Sequence, residues 1–118
     1  MIQNFNGGGL LNNYSTEEQV IGTWIDGKPI YRKFIQIDLS SSHSSSFITP
    51  HNINDIDIIV NYYGNILNSS SQNYINCNVY NGSSYRMLTF VNKTNITNIN
   101  VGYLGTLDLF IEYTKTTD

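Results

Sequence analysis

The chain has 118 residues, six Lys and Arg against nine Asp and Glu, and a formal net charge of −3. That length fits one domain, and folding would bury about two-thirds of the unfolded surface, so a core can form without covalent staples. Charged residues are only 13%, their place taken by 17 Asn, 12 Ser and 10 Thr beside 16 Ile and no Ala, a composition that argues against a helical bundle and for strands.

The same residues narrow the function. A handful of scattered bases gives no electrostatic footprint for nucleic acid, and no apolar run is long enough to span a membrane. Met1-Ile2-Gln3-Asn4-Phe5-Asn6 carries neither the basic nor the apolar region of a secretion signal. A single cysteine, Cys77, excludes an intramolecular disulfide and a Cys-based zinc site.

In chain order, residues 1–13 include Gly7-Gly8-Gly9 and read as a flexible lead-in or linker, because consecutive glycines maximise backbone freedom. Residues 14–118 then show turn signals every 8–15 residues, the spacing of a sandwich or barrel. Gln19–Ile25 and Ile30–Leu39 flank Asp26-Gly27-Lys28-Pro29, a hairpin turn in which Asp-Gly accepts positive φ and Pro29 sits where no ladder N–H is needed. If those four residues form the turn, Trp24 and Tyr31 come opposite each other as an aromatic cross-strand pair.

Ser40–Ser46, with His43, reads as a polar loop. Ile53–Tyr63 reads as a strand with Ile56, Ile58, Val60 and Tyr62 on one face and Asp55, Asp57, Asn61 and Tyr63 on the other; Ile59 interrupts the polar face. A loop over Gly64–Gln72 follows. Tyr74–Tyr80 alternates cleanly, Ile75, Cys77 and Val79 inward and Tyr74, Asn76, Asn78 and Tyr80 outward, and Asn81-Gly82 suits a type I′ turn. Ser84–Val91 and Ile96–Val101 form a further hairpin. Leu107, Leu109, Ile111 and Tyr113 mark the inward face of a last strand. The expected fold is an antiparallel β-sandwich, jelly-roll-like, of seven or eight strands.

Chemistry is sparse. His43 and Ser44 are neighbours, but adjacency makes no catalytic triad and no Gly-x-Ser-x-Gly elbow is present. Cys77 faces inward as a small hydrophobe. Asp55 and Asp57 on one exposed strand face read as solvated edge charges rather than a glycosidase pair, and Asp108 and Glu112 read the same way. His43 and His51 are the only imidazoles, so no metal and no cofactor are expected. The outward row Tyr74, Asn76, Asn78 and Tyr80, extended by Tyr63, is the candidate ligand site. Aromatic rings stack on the C–H faces of sugars and amides pair with hydroxyls. The competing reading packs these tyrosines across strands or against another subunit.

Three segments carry a family resemblance: Tyr14-Ser15-Thr16-Glu17-Glu18-Gln19-Val20-Ile21-Gly22-Thr23-Trp24-Ile25-Asp26-Gly27-Lys28-Pro29-Ile30-Tyr31, then Ile48-Thr49-Pro50-His51-Asn52-Ile53-Asn54-Asp55-Ile56-Asp57, and the closing Ile111-Glu112-Tyr113-Thr114-Lys115-Thr116-Thr117-Asp118. Together they resemble the C-terminal head domain of tail-fibre, baseplate and related structural proteins of phages and prophages of low-GC Gram-positive bacteria. The Asn/Ile-rich composition suits such a host, clostridia included.

The resemblance implies a small all-β head, usually a homotrimer, at the tip of a virion fibre, non-catalytic and recognising a host cell-surface glycan, with the lead-in tethering it to a fibre stalk or anchor protein. The hairpin of Trp24, Asp26, Gly27, Pro29 and Tyr31 then reads as architecture, and Arg32 and Lys33 as groups that meet acids of a neighbouring chain. Relatives of this kind usually end long proteins, so this chain is expected to be either an excised domain or a short independent virion protein. The alternative role is a structural trimerisation or capsid and tail decoration module without receptor binding.

Overall fold

The computed structural model describes residues 17–118; the lead-in at 1–13 and the first residues of the Tyr14 block lie outside the described residues. Among the described residues there are nine strands: β1 Gln19–Thr23, β2 Pro29–Leu39, β3 His43–Pro50, β4 Ile56–Leu67, β5 Tyr74–Asn76, β6 Val79–Tyr80, β7 Arg86–Val91, β8 Asn95–Val101 and β9 Gly105–Lys115. They form two antiparallel sheets, in the orders β1-β2-β9-β4-β5 and β3-β8-β7-β6. The expected all-β sandwich is what is found, with one or two strands more than the sequence pattern indicates.

The centre of the larger sheet is β9. Leu107, Leu109, Ile111 and Tyr113 on its inward face are fully buried, and it pairs with β2 on one side and β4 on the other. They meet Ile37 and Leu39 of β2, Ile56 and Ile66 of β4, and Met87 and Ile96 from the smaller sheet. The inner face of the smaller sheet is partly polar: Thr89, Asn98 and Asn100 are all fully buried. Such groups are tolerated only when hydrogen-bonded. Asn100 Nδ2 donates across the sandwich to the Leu39 carbonyl at 3.3 Å, Thr89 Oγ1 donates to the Cys77 carbonyl at 2.7 Å, and the Tyr62 hydroxyl of β4 donates to the Thr89 carbonyl at 3.1 Å. Polar bonds therefore tie the two layers together beside the apolar core.

Several local expectations change. The turn runs over Trp24–Lys28 rather than Asp26–Pro29, because Pro29 already pairs with Thr23 as the first residue of β2; Gly27 has φ +88°, Asp26 Oδ1 accepts from the Lys28 N–H at 3.0 Å, and Tyr31 lies opposite Val20. Trp24 and Tyr31 are therefore not a cross-strand pair, and Tyr31 instead stacks on Tyr113, centroids 5.9 Å apart. Arg32 is buried within the chain over the Phe110 ring, 5.9 Å from its centroid. The segment expected as a loop around His43 begins β3: His43 Nδ1 bonds Asn100 Oδ1 at 2.7 Å and its ring stacks on Phe47.

Two one-residue register shifts between β9 and β4 flip the alternation between Asn61 and Ile59 and restore it by Ile56. Ile59 consequently packs against the core while Ile58 is exposed. Asp55 lies before the strand at φ +61°, so it shares no strand face with Asp57, whose carboxylate meets Lys28 Nζ at 2.8 Å. β4 runs on to Leu67, converting half of the expected Gly64–Gln72 loop into strand.

Candidate functional site

The outer face of the larger sheet is built from cross-strand rows, because every second residue of β2, β9, β4 and β5 points outward. One row is aromatic: Phe34, Phe110 and Tyr63 are register partners across β2, β9 and β4. Phe34 and Phe110 have centroids 4.9 Å apart, and Tyr63 stacks on Phe110 at 5.3 Å. The adjoining row is polar: Gln36, Asp108, Asn65 and Asn76 follow one another across β2, β9, β4 and β5. Gln36 Nε2 donates to Asp108 Oδ1 at 2.9 Å. One outward row further along the edge strand, opposite Leu67, Tyr74 stands 74% exposed.

A shallow groove of about 450 Å³ lies there, lined by Tyr63, Gly64, Asn65, Tyr74, Asn76, Asp108 and Phe110. That volume falls within the range of small-ligand sites. The walls are fixed from behind. The Tyr63 hydroxyl donates to Glu112 Oε2 at 2.8 Å, and partial burial followed by that bond pushes its ionisation above the usual tyrosine value. Gly64 is required by its position, since a Cβ there would press into the Asp108 carbonyl oxygen. Stacking faces, amides and one carboxylate converge, which suits holding a polyhydroxylated ligand through ring contacts and hydrogen bonds.

Three of the five candidate ligand residues, Tyr63, Tyr74 and Asn76, meet in this groove. The other two do not. Tyr74–Asn76 belongs to the edge of the larger sheet and Val79–Tyr80 to the edge of the smaller one, so the expected flat strip breaks at Cys77-Asn78. Asn78 is used structurally, its Oδ1 accepting from the Thr89 N–H at 2.8 Å, and Tyr80 is exposed on the other sheet. Asn65, Asp108 and Phe110 enter instead. Phe110 carried a usable signal, a large aromatic on the polar face of an alternating strand between Asp108 and Glu112.

The remaining candidates stay apart from the groove. Cys77 is buried, and desolvation pushes its thiol up, away from a reactive thiolate. His51 is buried with Nδ1 accepting from the Ile53 N–H at 3.1 Å, which leaves Nε2 to donate to the Asn92 carbonyl at 2.9 Å. Among the described residues no group of three or more His, Cys, Asp or Glu gathers to hold a metal, and no helix is long and apolar enough to cross a membrane. Neither protein-family models, curated proteins nor solved structures match this chain.

Proposed function

We propose that the chain is a non-catalytic head domain of a phage virion fibre or related structural protein, holding a host cell-surface saccharide in the groove beside Tyr74. The observation that carries the binding half of this reading is the aromatic row Phe34–Phe110–Tyr63 lying against the amide row Gln36–Asn65–Asn76 on one exposed sheet face. Stacking surface and paired donors and acceptors are the chemistry that grips sugars. The virion half rests on the resemblance of the Tyr14–Tyr31, Ile48–Asp57 and Ile111–Asp118 segments. In a homotrimer, weak single sites gain strength through simultaneous engagement.

Binding of the purified protein to whole host-type cells and to an array of neutral cell-wall and capsular glycans tests it. The wild type is expected to bind, and Tyr74→Ala and Phe110→Ala to lose at least tenfold while keeping their fold. A wild type that binds no glycan and no cell overturns the reading.

A second reading, a structural trimerisation or decoration module, is favoured by the outer face of the smaller sheet. There Leu88 pairs with Ile99, and Phe90 and Ile48 flank Thr97, with Ile48 58% and Phe90 54% exposed. An apolar outward face of this kind is a mark of an interface.

A further inference from the structure

A second groove, of about 490 Å³, adjoins the first and is lined in part by Gln36, Ser69, Gln72 and Thr106, with Tyr74 and Asp108 common to both. The two are therefore one cleft across the outer face of the larger sheet, and they differ in chemistry. The first end offers the rings of Tyr63 and Phe110. The second offers hydroxyls and amides, held in place by bonds such as Gln72 Nε2 to the Ser69 carbonyl at 3.0 Å.

At the junction Asp108 Oδ1 is occupied by Gln36, which orients the carboxylate toward the cleft. From Phe110 to Thr106 the strand advances about 13 Å, enough to underlie two or three linked pyranose rings. Among the described residues no lysine, arginine or histidine lines either groove; Arg32, over the Phe110 ring, is buried and is the register partner of Glu112, so the charge exposed at the centre is that of Asp108 and it repels an anionic chain.

On the saccharide reading above, we infer that the cleft is two adjoining subsites for an uncharged saccharide chain, a stacking subsite and a hydroxyl-reading subsite, hinged on Tyr74 and Asp108. The ligand is then an internal stretch of a neutral polymer rather than one terminal sugar.

Calorimetric titration tests this with neutral homo-oligosaccharides of one to four units built from glucose, galactose, mannose, rhamnose or N-acetylglucosamine, and with oligogalacturonate of the same lengths. For at least one neutral series, affinity is expected to rise about tenfold, about 1.4 kcal/mol, between one and three units and then level. The double variant Gln72→Ala/Thr106→Val is expected to keep single-unit affinity and lose the rise with length, whereas Phe110→Ala weakens every length. Affinity that does not change with length, or a double variant that keeps the rise, overturns the two-subsite inference and leaves saccharide binding standing. Oligogalacturonate bound as tightly as the neutral series overturns the uncharged specificity. A protein that binds none of the saccharides overturns both this inference and the reading beneath it.

Discussion

The residues that shape the groove divide into those that touch its space and those that make room for it. Gly64 is of the second kind: β4 and β9 approach so closely there that a methyl group meets backbone rather than a movable side chain. Gly64→Ala should cost roughly 1–3 kcal/mol of stability, the usual penalty for overpacking, read as a drop in the urea midpoint. Gly22→Ala, where a Cβ meets nothing within 4 Å, is the control expected to change little; equal effects would remove the steric argument. Tyr63, Tyr74 and Asn76 were legible as outward-facing residues that line the groove, because bulky or amide side chains on the polar phase of a strand are the detectable anomaly. Phe110 carried the same signal. Asp108 did not, since an isolated acid on an outward position looks like any solvated charge until Gln36 and the groove surround it. Asn65 was hidden by an assignment to loop.

At the level of strands, alternation reports burial and is silent on partners. Ile75, Cys77 and Val79 alternate without interruption, yet the chain leaves one sheet and joins the other between Asn76 and Val79. The inward set is correct and the shared surface inferred from the outward set is not. β3 was hidden for the opposite reason: an edge strand that opens with Ser44, Ser45 and Ser46 shows no apolar period there, and it is the pairing of His43 and of Phe47–Pro50 with β8 that makes it a strand. The last strand was the most legible, because one face is wholly buried. Its C-terminal end is strapped by Glu18, whose carboxylate meets Lys115 Nζ at 2.7 Å and accepts from the Tyr113 hydroxyl.

Partial burial works against the Glu18 carboxylate, but the bonds from Lys115 and Tyr113 outweigh it and lower its pKa. Glu18 thus adds stability above the ordinary glutamate value of 4.5 that is lost as pH falls through the lower folded value. Tyr113 is raised by burial and then by Glu18, and Lys115 by its bond to Glu18. Their contribution is complete below the ordinary values of 10.0 and 10.5 and is lost as pH rises through the folded ones. The difference in urea midpoint between wild type and Glu18→Gln should therefore be largest from about pH 5 to 9 and shrink at both ends. A difference constant with pH would show that the strap does not titrate with folding.

Over the whole molecule the two sheets divide their chemistry in opposite senses. The larger sheet is apolar inside and turns aromatics, amides and acids outward, whereas the smaller one buries Thr89, Asn98 and Asn100 and turns Ile48, Leu88, Phe90, Ile99 and Val101 outward. Arg86 lies at one end of that outward face, its guanidinium donating to the Ser83 and Ser44 carbonyls. Copies meeting through the smaller sheet would face little like-charge repulsion and leave every cleft pointing away from the axis. Ile48→Ser with Phe90→Ser should convert the assembly to monomer in sedimentation velocity while leaving single-site saccharide affinity unchanged. A wild type that is monomeric at high concentration removes the oligomer reading. The low charge of the composition thus goes with an apolar face on one side and an amide-rich cleft on the other.

The place of β9 has a consequence for biosynthesis. It is translated after the other eight described strands, yet it lies between β2 and β4 at the middle of the larger sheet. Until it emerges, β2 and β4 are two unpaired edges with exposed apolar faces, the condition that invites strand exchange between nascent chains. Formation of the core must therefore wait for Leu107–Tyr113, and a chain released before that point holds neither the sheet nor the cleft.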